Sequence, residues 1–387
     1  MTAEGAIEFG HAARPLFFLE DETVFLTHGT FGAVPRAVLA AADDWRRRME
    51  AEPVRFMARE LPAALRAAAA RLGRFVGARG NDLVFLDNAT TAINAILRSL
   101  DLAPGDVLLT TNHVYGAVGK TLRYVAARTG AHAVEVDVPV PLADDEGVLD
   151  AIAAAWPART RLLVIDHVAS PSALVFPVER IVALAHARAS RVLIDGAHAP
   201  GMLPLDIESL GADYYVANCH KWLFAPKGCG FLWASPAVQS ALHPTVISHG
   251  LGDGFLAEFD WTGTRDHSAW LAVTAALDFV EAIGPERIMA HNHALACEAA
   301  ALLASAWGTS VAGPDRLLGA MASIRAPGAV QPAAAASIGD AQRLHDHLFD
   351  HHRIEVPVIP FDGRLWIRVS AQIYNRREDY LALAGAF

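Results

Sequence analysis

The sequence predicts an α/β protein, with a large domain built on a mostly parallel sheet between helices and a smaller α+β domain behind it. Three observations carry this prediction. From about residue 80, short apolar or β-branched runs alternate with longer helical stretches, as βαβ units do. The short runs are apolar throughout, which suits strands covered by helices on both faces. After Trp261 the alternation stops, and an Ala-rich helical stretch leads to the breaker Gly284-Pro285.

The elements follow in order. LVFLD (83–87) is the first strand of the series, then the helix TTAINAILRSL, the strand DVLLT (106–110) and a helix over 115–128. AVEVDV, a helix around 149–156, RLLVID (161–166), a helix over 178–189, RVLID (191–195), YYVAN (214–218) and GFLWA (230–234) continue it. One long helix is expected over 267–280 and another from Pro285 to about Trp307. The remainder carries the strand-like runs SIRA, RIEVPVI and LWIRVS. The boundary at Gly284-Pro285 gives a large domain over 16–284 and a small one over 285–387, with residues 1–15 expected to pack on the small domain.

Composition limits the function. The 387 residues are 53% hydrophobic and 19% charged, enough for a sizeable core. The formal net charge of −10 argues against a general nucleic-acid or anionic-membrane binder, so neither partner is expected. Cys219, Cys229 and Cys297 form no CxxC pair and no even framework, which fits a reducing compartment. With no basic leader and no long apolar run, a cytoplasmic protein is expected. His347 and His351 in HDHLFDHH (345–352) have the i, i+4 spacing of a metal pair but no third ligand, and no metal is expected. GLGDG (250–254) resembles half of a dinucleotide fingerprint but lacks the helix that should follow it.

Residues 191–234 hold the chemistry. Asp195 ends one strand and Lys221 follows the next, so both would face the crevice at the strand ends. A carboxylate and a lysine there suit a bound pyridine ring: the acid keeps the ring nitrogen protonated, and the amine forms a Schiff base with an aldehyde. In NATTAIN, Asn88 or Thr90 would begin a helix directly after a strand. Ala89, Thr90 and Thr91 would then offer free N–H groups to an anion, although an ordinary helix cap satisfies the same string.

The strings DGAHAPG, NCHKW (218–222) and APKGCGFLW resemble the class V aminotransferase family of fold-type I enzymes that use pyridoxal 5′-phosphate (PLP). So do FLTHGTFGAVP, FLDNATTAINAIL, TTNHVYGAV, WTGTRD and RVSAQIYN, and the isopenicillin N epimerase-like branch is the most similar. The resemblance implies a seven-stranded, mostly parallel sheet and a homodimer with active sites at the interface. It implies Lys221 as the Schiff-base lysine, Asp195 as partner of the ring nitrogen, and His198 and Ser170 near the ring or its O3′ oxygen. Tyr115 is implied to stack on the ring, with Ala89, Thr90, Thr91 and His220 at the phosphate and Thr264 donated across the dimer. Arg368 would pair with a substrate α-carboxylate, and His28 and Gly29 would form a substrate-side loop.

The implied activity is on an α-amino acid through a Cα carbanion, with epimerisation favoured over β-elimination by a C–S lyase and over transamination. A non-catalytic binding protein is the reading from another class. Two departures bear on the reaction. No cysteine follows Cys297, which argues against persulfide-forming desulfurisation, and Asn218 stands where the desulfurase branch has a phosphate-binding serine.

Overall fold

The computed structural model describes residues 7–387. A seven-stranded sheet forms its centre. In chain order its strands are β2 (Leu83–Leu86), β3 (Val107–Thr111), β4 (His132–Val136), β5 (Thr160–Asp166), β6 (Arg191–Asp195), β7 (Tyr214–Asn218) and β8 (Gly230–Ala234), preceded in the chain by β1 (Val24–Phe25). The spatial order is β2-β8-β7-β6-β5-β3-β4, and β8 alone runs against the others. The expected mostly parallel sheet is therefore present.

The all-apolar runs read as they do because alternate residues enter different cores. Leu162, Val164, Leu193 and Val216 join one hydrophobic cluster, while Leu163, Ile165, Val192, Ile194 and Ala217 join the other. The first cluster also takes Ala92, Ile93 and Ile96 from the helix Ala89–Ser99 and Val118 and Leu122 from the helix Gly116–Thr129. Period-two geometry then places Asp166, Asp195 and Asn218, the last residues of β5, β6 and β7, on the face that carries these two helices.

The C-terminal part holds a three-stranded antiparallel sheet in the order β11 (Val358–Phe361), β12 (Arg364–Ser370), β9 (Met321–Arg325). The expected single strand RIEVPVI is divided: β10 (Ile354–Glu355) pairs in parallel with β1, and β11 pairs with β12. The expected helix over 267–280 is also divided, into Ser268–Leu271 and Val273–Ile283, where Ala272 caps the first piece. Residues 1–6 of the expected N-terminal segment lie outside the described residues. In the rest of it, the Gly10 N–H donates to the Ile373 carbonyl (2.7 Å) and His11 contacts Asp379 (2.9 Å). No helix among the described residues is long and apolar enough to cross a membrane.

Candidate active site

Because six strands run the same way, their C-terminal ends share one side of the sheet, and a cavity of about 530 Å³ opens there. Its floor is the ring of strand ends on which ligand crevices form in open α/β sheets.

Buried ionisable groups make one end of the cavity. Asp195 is 4% exposed, and its Oδ1 accepts the Ala197 N–H at 3.0 Å. Asp166 is its in-register neighbour on β5, 3% exposed, with Oδ2 buried and unpartnered. Burial raises the pKa of both carboxyls, and the charge of Asp195 raises Asp166 further, well above the usual range. Two ionised carboxylates at the ~5 Å spacing of neighbouring strands would repel by roughly 3 kcal/mol at an effective dielectric of about 20.

Lys221 is half-buried in the same end. Burial, then the Arg368 guanidinium, lower its ammonium pKa to about 7 against the opposing pull of Asp195 and Asp166. Its Nζ lies 3.1 Å from His198 Nε2, and the Trp222 indole N–H donates to His198 Nδ1 at 3.3 Å. A ring nitrogen that accepts from Trp222 carries no proton, so the imidazole proton sits on Nε2 and donates to the lone pair of a neutral lysine. Burial, then the nearby Lys221, keep His198 neutral by lowering its pKa well below the usual value.

The other end is built from oriented donors. The helix Ala89–Ser99 starts just behind β2, and Asn88 caps it by accepting the Thr91 N–H (2.8 Å). Asn218 reaches over from β7, and its Oδ1 accepts the Ala89 N–H (2.9 Å). Of the three N–H groups expected to cradle an anion, two are thus taken within the chain; Thr90 keeps its N–H and its hydroxyl for a ligand. β8 can lie against this turn only because residue 230 is glycine: a Cβ there would sit 2.8 Å from the Asn88 Cα. His220 Nδ1 donates to the Cys229 carbonyl (3.0 Å), leaving Nε2 free, and burial lowers the imidazole pKa to about 4. Asp87, also on the wall, is ion-paired with Arg265.

Tyr115, 46% exposed, stands on the wall at the start of the helix Gly116–Thr129. Ser170 lies on the loop after β5. Its hydroxyl and carbonyl accept from Arg368 Nη1 (2.9 and 2.7 Å), while Arg368 Nη2 donates to Thr30 Oγ1 (3.1 Å). Arg368 is 5% exposed, its Nε has no partner, and burial lowers its pKa only to about 10, so it stays charged. Its hydrogen bonds go to neutral oxygens, and among the described residues the guanidinium has no counter-ion.

The aminotransferase class-V family model matches residues 24–383. The chain belongs to the class V aminotransferase family. A putative L-cysteine desulfhydrase 1 of Oryza sativa subsp. japonica is 34% identical, over 93% of this chain and 82% of that protein. The isopenicillin N epimerase of Streptomyces clavuligerus is also 34% identical, over 97% of this chain and 96% of that one. Among solved structures, the cysteine desulfurase of Thermococcus onnurineus NA1 superposes with a TM-score of 0.81 at 19% identity, covering 99% of this chain and 98% of that one. A variant of the cystine C–S lyase C-DES with glycine covalently linked to its PLP cofactor gives 0.79 at 21% identity, over 96% and 97%. The fold is fold type I, and this class V enzyme is PLP-dependent.

The residues present fit that cofactor. A lysine whose ammonium pKa is lowered to about 7, a carboxylate at the strand end and a donor-bearing helix start surround one cavity wide enough for a small ligand. Lys221, Asp195, His198, Ser170, Tyr115, His220, Ala89, Thr90 and Thr91 all line it. Two expectations need correction. His28 is fully buried behind Lys221: its Nε2–H donates to the Lys221 carbonyl (3.1 Å), and its Nδ1 accepts from the Tyr374 hydroxyl (2.8 Å). Gly29 also faces inward, donating its N–H to Ser370 Oγ (3.1 Å), where a Cβ would collide with Met321 Sδ. The same segment reaches the cavity through Thr30 and Phe31 instead.

Thr264 does not line the cavity of its own chain, and its neighbours Thr262 and Arg265 border a smaller adjoining depression. Sequence reasoning passed over Asp166 as a site residue. The signal was available, since RLLVID and RVLID both end on aspartate at the same position of the alternation.

Proposed function

We propose that this class V enzyme acts on an α-amino acid carrying a sulfur substituent at Cβ and releases it by β-elimination. When bound, PLP supplies an aldehyde for the amine and a ring that withdraws the electron pair left at Cα. Lys221 takes the Cα proton; the electron pair left at Cα forms a Cα=Cβ double bond as the Cβ–S bond breaks with its pair on sulfur, and one water hydrolyses the 2-aminoacrylate so formed, through its imine tautomer, to a 2-oxo acid and ammonia. A thiolate departs without an acid to help it, since thiols ionise at about 8.5. The observation behind this reading is that the Lys221 amine stands at the strand-end side of the cavity, 3.1 Å from His198 Nε2, with its pKa brought down to about 7. The desulfhydrase likeness points the same way.

In this proposal Asp195 pairs with the ring nitrogen, and His198 and Ser170 serve the O3′ side. Tyr115 covers the ring, and Thr90, with Ala89, Thr91 and His220 around it, receives the phosphate. Arg368, which lacks an anionic partner, takes the substrate carboxylate. Thr264 reaches the phosphate of a second copy of the chain, so the working unit is a homodimer.

Epimerisation is the second reading, supported by Tyr115 as a further proton donor on the wall and by the equal likeness to an isopenicillin N epimerase. An amino-acid panel incubated in D2O separates the outcomes. β-Elimination gives 2-oxo acid, ammonia and thiol or sulfide. Racemised, α-deuterated amino acid without 2-oxo acid would overturn it in favour of epimerisation, and pyridoxamine phosphate would mark transamination.

A further inference from the structure

We infer that Asp166 is a positioning residue that holds a proton for Asp195: the two carboxyls carry one negative charge between them, with Asp166 donating a hydrogen bond and Asp195 remaining the anion that the PLP ring nitrogen requires. This rests on the PLP dependence of the family and not on which reaction follows.

The pair is built by the sheet. β5 and β6 are parallel and in register, Asp166 opposite Asp195, and both side chains leave the same face at the cavity floor. Asp195 has Oδ1 engaged by the Ala197 N–H. Asp166 Oδ2 is buried with no partner, an arrangement that costs stability unless a proton fills it. The groups facing the pair offer no better solution. Lys221 is the one cation whose field reaches both, and it is held near neutrality. His198 is neutral, and the Tyr215 hydroxyl on β7 is engaged with His167 Nδ1 at 2.9 Å. The Tyr115 N–H favours an ionised Asp166, but less than burial and Asp195 oppose it. Like carboxylates at this spacing share a proton rather than both ionise.

A neutral Asp166 that donates lowers the basicity of Asp195 and so leaves the second proton, the one between Asp195 and the ring, on the ring nitrogen. An ionised Asp166 would act as a second anion. Substitution separates the two. In Asp166→Asn the amide still donates and the charge of the pair is unchanged, so PLP affinity of the apoprotein and the pH midpoint of the bound cofactor's absorption should stay within about threefold and a few tenths of a pH unit of the parent. In Asp166→Ala the donor is lost, PLP binding should weaken about tenfold or more, and the midpoint should move. If Asp166→Ala does not fold, Asp166→Thr and Asp166→Val repeat the comparison at equal shape, with and without a donor. Asn as impaired as Ala would overturn the proposal in favour of a second anion. Equal behaviour of the donor-bearing and donor-free variants would overturn it by showing that the proton has no role.

Discussion

The two ends of the cavity work by different physics. At the helix start, Asn88 and Asn218 spend their side-chain oxygens on the Thr91 and Ala89 N–H groups, so the turn is neutral, rigid and prepared for an anion by orientation. At the strand ends, Asp166, Asp195 and His198 are buried and Lys221 is half-buried among them, and the protonation of all four is displaced from its ordinary state. The first end binds through fixed dipoles that a change of pH leaves alone until about pH 4, where His220 takes a proton. The second stores its readiness in proton positions and is accordingly the end at which acid should be felt.

The largest break in that contrast is Lys221→Ala. It removes the proposed base and the amine for the cofactor aldehyde together, and turnover should fall by about 10³-fold, within the usual span for a positioned acid–base group. PLP should still bind through the donor end, but after borohydride reduction and denaturation none of it should remain attached to the variant, whereas the parent should retain it. In the parent protein, the rate at which the apoprotein captures PLP covalently should rise about tenfold per pH unit up to about pH 7 and then level off. The sign follows from the lowered pKa: the free amine is the reactive form, and desolvation makes it available well below the pH that an exposed lysine needs. Stopped-flow absorbance reads the profile. A rise continuing to pH 10 would mean that Lys221 is not desolvated and that the two ends do not differ in this way.

The sheet was legible because its strands are buried on both faces, which writes them as uninterrupted apolar runs such as RLLVID and GFLWA. The break at Ala272 was not, since no residue there forbids continuation, whereas the break between Glu355 and Val358 is written in the sequence as Pro357, which has no N–H to give a ladder. Lys221, Asp195 and the helix start were legible because each follows a strand, where the crevice must lie. What the chain does with a donor once placed was hidden. Nothing in NATTAIN tells that Asn218 takes the Ala89 N–H, and nothing in THGTFG tells that His28 turns inward to Tyr374 while Thr30 and Phe31 turn out. Asp166 escaped notice for a related reason: one acid at a strand end is ordinary, and only register makes two of them a pair.

The smaller effect belongs to the donor end and tests whether its work is orientation alone. Asn218→Ala frees the Ala89 N–H and removes the side-chain amide, a loss of about 1 kcal/mol by the usual worth of a cap, or roughly a fivefold to tenfold rise in the Kd for PLP. Asn218→Asp keeps an oxygen for the Ala89 N–H at nearly the same shape but brings a negative charge to the phosphate. If the end works by orientation plus neutrality, Asn218→Asp should melt within a degree or two of the parent and yet bind PLP more weakly than Asn218→Ala does. Pyridoxal, which lacks the phosphate, supplies the control, and its affinity should change less than about twofold in both variants. Equal weakening of PLP and pyridoxal, measured by titration of the apoproteins, would place Asn218 in the support of the ring end, and the division of labour between orientation and displaced protons would have to be redrawn with β7 serving both.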